Sequence, residues 1–351
     1  MQQVISFKTL PANIDAEECE IDANFAPPAA LLHYFIVPDA CAGLRFDQVL
    51  AKLMPEYSRS RLQEWIVAGQ TRLNGALATT RQKVWGGEKV EVLPQLHPAD
   101  LPHLAEDIPL DILHEDDMLM ILNKPAGLVV HPGSGNWQGT LLNALLHHAP
   151  QLESVPRAGI VHRLDKDTSG LMVVAKTLTA QTALVRQLQA RSVKREYLAL
   201  VWGSLACGGT VDAPIDRHPT QRVKMAVVEK GKIAITHYRI EAPLLSKSAQ
   251  SGCTLLRCRL ETGRTHQIRV HMSHIGHPLV GDSVYMKGSH KCLPLLRDSL
   301  HGFPRQALHA TRLALSHPAC GETMEWFAPA PDDFQQLLQQ IRAALAARTD
   351  L

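Results

Sequence analysis

The chain has 351 residues, 45% apolar and 20% charged, with a net charge of +2 at pH 7. That is ordinary soluble-globular composition, with room for two domains that each have a core and need no covalent staples. The seven cysteines are scattered and form no C-x-x-C pair, so neither a disulfide framework nor a zinc ribbon is indicated and a reducing, cytoplasmic compartment is expected. The amino terminus lacks a basic segment leading into an apolar one, and no stretch approaches the roughly 20 apolar residues that span a bilayer, so neither an export signal nor a membrane anchor is expected.

The near-neutral balance conceals a pattern. Residues 1–43 carry Lys8 against Asp15, Glu17, Glu18, Glu20, Asp22 and Asp39. Residues 58–83 reverse it, with Arg59, Arg61, Arg72, Arg81 and Lys83 against Glu64, and residues 95–117 are acidic again with no Lys or Arg. A basic island between acidic stretches suits a small RNA-facing module.

Residues 1–33, with Pro27-Pro28 and no sustained period, read as an acidic, poorly ordered extension. Residues 34–95 read as the small module. Leu44, Val49, Leu50 and Leu53 mark one face of a helix that Pro55 ends, and Ser58 or Ser60 caps a second helix carrying Leu62, Trp65 and Ile66. Asn74-Gly75 signals a tight hairpin turn, and Gly86-Gly87 precedes a further strand. The arginines of this module suit phosphate contacts, although a solvated helix face is the commoner fate of such residues.

Residues 96–107 hold the prolines of a linker, and residues 108–351 form the second domain. Leu119 to Val130 reads as strand, turn and second strand, and Thr140 to His148 as a helix. Leu171 to Ala175 reads as a buried strand, Thr179 to Val193 as an amphipathic helix, and Arg195-Glu196-Tyr197 opens another apolar strand. Further alternating segments follow before the amphipathic terminal stretch DDFQQLLQQIRAALAA. Repeated strands with few helices indicate an α+β domain around a mixed, largely antiparallel sheet. Glycine-rich phosphate fingerprints are absent, so no nucleotide cofactor is implied.

The stretch GIVHRLDKDTSGLMVVAKT, from Gly159 to Thr177, concentrates His162, Arg163, Asp165, Lys166 and Asp167 immediately before the buried strand. A charged loop fixed to a rigid strand suits catalysis. From the residues alone, an ordinary surface turn with an Arg-Asp pair is an equal alternative.

HRLDKDTSG resembles the signature of the RluA-type pseudouridine synthases, and three more stretches agree in order: NKPAGLVVHPGSGN from Asn123, KREY ending at Tyr197, and LETGRTHQIRVHMSHIGHPLVGD from Leu260 to Asp282. The resemblance implies a pseudouridine synthase fold preceded by an alpha-L, S4-type RNA-binding domain, and isomerisation of uridine in RNA without cofactor or metal. It assigns Asp165 as the catalytic carboxylate, Arg269 as its partner, Tyr197 as the tyrosine beside the target base, and Arg163 as the residue entering the space the flipped nucleotide leaves. Arg59, Arg61, Arg72, Arg81 and Lys83 become candidate RNA contacts. Lys166 and Asp167 read as solvated or loop-structural. A helical reading of RTHQIRVHMSHIG puts Thr265, Arg269 and Met272 near one face, with Arg264 the other candidate partner for Asp165. Burial would raise the pKa of Asp165 from about 3.9 and a nearby arginine would offset the shift.

The implied partner is large-subunit (23S) ribosomal RNA, several uridines of one stem-loop, free or within an assembling ribosomal particle. Other rRNA or tRNA sites are the alternative, and the basic loop from Lys287 to Arg305 is a candidate for choosing among them. Two rivals belong to other classes. His266, His271, His274 and His277 suggest a metal hydrolase, but Gly276 and Pro278 end the helix before His277 aligns. A non-catalytic assembly factor would have no chemical need for Asp165, Tyr197 and Arg269 together.

Overall fold

The structure is a computed structural model that describes residues 32–94, 103–133, 135–221, 224–245, 252–286 and 296–347. The acidic extension up to residue 31, most of the expected linker and residues 287–295 of the basic loop lie outside the described residues. The chain divides into two units between Asp100 and Leu101.

In the first unit, β1 (His33–Ile36) precedes α1 (Phe46–Leu53) and α2 (Arg59–Val67), followed by β2 (Thr71–Leu73), β3 (Ala76–Leu77) and β4 (Lys89–Val92). The strands form one antiparallel sheet in the order β1-β4-β2-β3. Leu44 lies ahead of α1 rather than within it. Ser58 caps α2, its Oγ accepting the Arg61 amide at 3.3 Å, and thereby answers one of the amides a helix start leaves without a partner. Asn74 and Gly75 both take positive φ, the combination that a two-residue hairpin turn demands. Phe46, Val49 and Leu50 of α1 meet Leu62, Trp65 and Ile66 of α2 over Leu73, Val90 and Val92.

The second unit is built on a nine-stranded sheet. In chain order its elements are β5 (Ile112–Glu115), β6 (Leu119–Lys124), α3 (Leu141–His148), β7 (Ser169–Ala175), α4 (Leu178–Gln189), β8 (Lys194–Trp202) and β9 (Gly209–Asp212). A separate ribbon of β10 (Ile215–Arg217) and β11 (Met225–Val227) comes next, then β12 (Ile235–Leu245), β13 (Gly252–Leu260) and α5 (Gln267–His274). The chain closes with α6 (Arg297–His301), β14 (Leu308–Ser316), β15 (Thr323–Phe327) and α7 (Asp332–Ala346). The sheet order is β5-β6-β7-β14-β8-β13-β12-β9, with β15 also on β14. Among the described strands only β7 and β14 pair in parallel, so the mixed, largely antiparallel sheet expected from the sequence is what forms.

Both faces of the sheet are covered, which is why its central strands read as continuous apolar runs. Successive side chains of a strand point to opposite faces. Tyr197, Ala199 and Val201 of β8 therefore join one core with Leu141, Leu145, Ile268 and Met272 of α3 and α5, while Leu200 and Trp202 join another with Phe334, Leu337 and Ile341 of α7. Gly170 admits the parallel pairing, since a Cβ there would lie 2.2 Å from the Ala310 carbonyl oxygen.

Three boundaries differ from expectation. After β6 the turn leads to no second strand, because Val129 makes a single bridge to Thr140 and the chain then enters α3. The helix expected to reach Val193 stops at Gln189, and Arg191 turns the chain with φ 57°. The end of the expected linker is docked: Asn143 Nδ2 donates to the Leu104 carbonyl at 2.7 Å, and the Glu106 amide to the Asn143 carbonyl at 3.0 Å.

Candidate active site

The loop from His162 to Thr168 is pinned from several directions. Lys124, 1% exposed at the end of β6, directs Nζ at the carbonyls of Pro125, Leu128 and Lys166 at 2.7, 2.9 and 2.9 Å. Three carbonyls match the three donors of an ammonium. Burial nevertheless pushes its pKa down to about 7, with Asp167 and Asp165 opposing the shift. Arg305, itself paired with Asp333 of α7, donates to the Asp167 carbonyl at 3.1 Å, and Gln306 donates to Thr168 Oγ1 at 3.1 Å. His162 accepts the Val173 amide on Nε2 at 3.1 Å, and burial lowers its pKa to about 3. The neutral ring thus carries its proton on Nδ1.

Asp165 emerges from this frame with its side chain 15% exposed. Its Oδ2 accepts from Arg269 Nη1 at 2.9 Å. Arg269 is held by its other edge, since Nε and Nη2 donate to Asp282 Oδ2 and Oδ1 at 2.7 and 3.0 Å, a bidentate pair. Asp282, fully buried, is in turn fixed by the amides of Val284 and Tyr285 on Oδ1. The guanidinium stacks over the Tyr285 ring, 5.1 Å from its centroid. Burial opposes the charge on Arg269, but Asp282 and Asp165 together raise its pKa above the ordinary value.

Arg269 lies within α5, but Thr265 does not. His266 precedes the helix with φ 57°, in the left-handed region, so the helical face proposed for Thr265, Arg269 and Met272 begins only at Gln267. The turn brings His266 Nε2 to 3.8 Å from Asp165 Oδ1 while its Nδ1 meets the Tyr285 hydroxyl at 2.7 Å. Arg264 donates instead to the Ile233 carbonyl at 3.0 Å. His271 uses both ring nitrogens inside the fold, on Thr236 Oγ1 and the Ala213 carbonyl, and His277 bonds the Trp202 carbonyl. Among the described residues no cluster of three or more His, Cys, Asp or Glu is arranged to hold a metal.

Arg163, Asp165, Tyr197 and Arg269 line one cavity of about 310 Å³, with Leu164, Leu260, Ile268 and Leu308 supplying apolar wall. Arg163 is exposed at its rim, whereas Tyr197 is buried. Burial and the charge of Asp165 raise the pKa of the Tyr197 hydroxyl, with Arg195 acting the other way, so it is a neutral phenol at physiological pH. The cavity is thus a half-apolar slot with a carboxylate, a fixed guanidinium and a phenol converging on it.

The candidate RNA contacts fall in the first unit. Arg59 donates Nε and Nη2 to Asp47 at 3.1 and 2.7 Å, so most of its guanidinium holds the fold. Arg61 lies over the Tyr57 and Trp65 rings at 5.8 and 5.9 Å. Arg72 reaches the Gly75 carbonyl at 3.1 Å and is exposed, as are Arg81 and Lys83.

Sequence reasoning missed Lys124, Asp282, His266 and Arg305. Lys124 and Asp282 both stand inside the quoted stretches, and a charged residue at the end of an apolar strand was the available signal for the first. Nothing in the spacing of Asp282 from Arg269 announced their pairing.

Residues 118–274 match the family model described as RNA pseudouridylate synthase. A Nitrosomonas europaea protein named ribosomal large subunit pseudouridine synthase D is 60% identical over 306 residues, 87% of each chain. The Xanthomonas campestris protein of the same name is 53% identical over 334 residues, 94% of this chain and 98% of that one. Among solved structures, human RNA pseudouridylate synthase domain containing 4 is similar with a TM-score of 0.50 and 27% identity, covering 66% of this chain and 93% of that one. The chain belongs to the RNA pseudouridylate synthase family and is an isomerase of that class.

Proposed function

We propose that this enzyme isomerises specific uridines of large-subunit ribosomal RNA, several in one stem-loop, with Asp165 as the catalytic carboxylate. The observation that carries the reading is the chain from Asp282 through Arg269 to Asp165, which presents one carboxylate to a cavity beside a buried tyrosine. The names of the bacterial relatives support the ribosomal target.

Pseudouridine formation breaks the bond between N1 of the base and C1' of the ribose, turns the base and rejoins it through C5, which loses its proton. The rearrangement is intramolecular and redox-neutral, so its balance calls for no energy source or redox cofactor. A stacked base must leave the helix to reach such a slot. Arg163, exposed at the rim, fills the space left behind, and Tyr197 packs against the base in the cavity and is the candidate to assist proton removal from C5. Arg269 is a positioning residue: it cannot rotate away from Asp165 without giving up Asp282. The first unit is an alpha-L, S4-type module that supplies affinity and register through phosphate contacts from Arg61, Arg72, Arg81 and Lys83, with Arg59 contributing its remaining edge.

The test is tritium release from 23S rRNA transcribed with uridine labelled at C5, with carbodiimide mapping of the products. Release mapped to one stem-loop is the expected result. Absence of release from both free rRNA and pre-ribosomal particles would overturn the ribosomal target.

A further inference from the structure

The arginines lining the cavity are of two kinds. Arg157, Arg163 and Arg264 are exposed at its edge, and Arg269 is buried but fully engaged. Arg195 fits neither description. It is 7% exposed, and among the described residues nothing accepts a hydrogen bond from its guanidinium or pairs with its charge; its Nε is an enclosed donor without an acceptor. Its Nη1 and Nη2 open on the cavity and find no acceptor among the described residues either, so a guanidinium kept in this state points to an anionic partner that arrives from outside.

Its position indicates which partner. Arg195 and Tyr197 are two apart on β8 and project from the same face of the sheet into the same cavity wall. A Cβ at Gly263 would lie 2.8 Å from Arg195 Nη1, so the missing side chain there is the space the guanidinium uses. His162 lines the same wall, and its Nδ1–H is a second enclosed donor without a partner. The exposed Arg157, Arg163 and Arg264 stand at the mouth, within reach of phosphates, whereas Arg195 lies on the inner wall beside Tyr197.

We propose that Arg195 is a catalytic residue that donates to a carbonyl oxygen of the extracted uracil and takes up the negative charge the base acquires when its glycosidic bond breaks. The inference rests on the uridine-isomerising reading above. In the step concerned, the C1'–N1 bond breaks and its electron pair leaves with the base, where the charge spreads onto O2 and O4. When C5 bonds to C1' that pair is consumed in the new bond, leaving a neutral ring with a tetrahedral C5; loss of the C5 proton and uptake of a proton at N1 then give pseudouridine. The charge is absent from bound uridine and present during the reaction, so the guanidinium acts on the transition state more than on binding.

The experiment uses an RNA from which the wild type releases C5 tritium, so that failure of the functional reading shows in the wild type and failure of this one only in the variants. Arg195→Met and Arg195→Lys are compared by single-turnover tritium release, RNA binding across a salt series, and thermal melting. For Arg195→Met the expected result is a rate lowered about 100-fold or more, RNA affinity within about threefold and an unchanged salt slope. Its melting temperature should be unchanged or raised, because an unpaired buried charge has been removed, and Arg195→Lys should recover at least part of the rate. Weaker binding with a shallower salt slope and a retained saturating rate would assign Arg195 to a phosphate and overturn the proposal. An unaltered rate would overturn it as well, as would a lowered melting temperature with rate and affinity falling together.

Discussion

Asp47 in the first unit and Asp165 in the second are both carboxylates met by arginine, and they differ in what is left over. Asp47 is fully buried and saturated: Arg45 and Arg59 each donate twice, and Gln63 donates at 2.6 Å. Burial works against its charge, but Arg59, Gln63 and Arg45 hold its pKa below the usual carboxylate range. Asp165 receives one hydrogen bond from an arginine whose other edge belongs to Asp282, and the rest of its carboxylate faces a cavity. A carboxylate enclosed by the fold and met by donors on both oxygens holds a fold together. One held on a single side, by a partner that is itself immobilised, remains available to a substrate.

The sharpest way to break the comparison is to neutralise each carboxylate in turn. Asp165→Asn keeps the shape and removes the charge, and turnover in the tritium assay should fall by roughly 10⁴-fold or more with little change in melting temperature. Turnover at the wild-type rate would sink the assignment. Asp282→Asn touches no substrate but releases Arg269; unfolding free energy should drop by about 3 kcal/mol and turnover by roughly 10- to 100-fold, measured by denaturant titration and tritium release. An intact rate in a destabilised protein would show that Asp165 does not need a fixed arginine.

Asp47→Asn should do the reverse, costing about 2 kcal/mol or more in the first unit while sparing the chemical step. The sign of its pH dependence follows from the lowered pKa. The stabilisation by Asp47 is present above the unfolded value near 3.8 and is lost as pH falls through the folded one, so wild type and variant should converge in acid. A difference that persists once acid has fully protonated the carboxylate would contradict the ion-pair account.

Lys124 gives the opposite slope. Its folded pKa is about 7 against 10.5 for the free group, so between those values the unfolded chain binds the extra proton and folding stability gains with rising pH, by at most about 1.4 kcal/mol per unit. Lys124→Met should flatten that rise in a stability profile taken from pH 7 to pH 10. A profile identical to the wild type would place the ammonium in a more polar setting than its burial indicates.

The loop carrying Asp165 was legible because it breaks an apolar pattern with a run of charges, and β7 from the apolar run Leu171 to Ala175, which the structure extends back to Ser169. The small unit's helices were legible from their caps and apolar periods. The second strand expected after β6 failed because the apolar Val129–Val130 pair lines the start of α3, a burial that hydrophobicity alone does not distinguish from a strand. The helical reading from Arg264 failed at His266, whose left-handed backbone is dictated by its reach to Tyr285 and toward Asp165, contacts made across the fold.

By itself the sequence determined the local chemistry: which stretches alternate, where helices begin, and that Asp165 and Asp167 stand in a charged loop before a buried strand. Those are properties of neighbours in the chain, governed by periods of 2 and 3.6 residues and by capping. Only the tertiary structure decided which charges meet. Arg269 joins Asp165 across 104 positions, Arg305 reaches Asp167 across 138, and Lys124 closes on Lys166 across 42. Local periodicity carries no record of separations that long. It is the sheet order, with β14 between β7 and β8, that lets Asp165, Tyr197 and Arg269 line a single cavity.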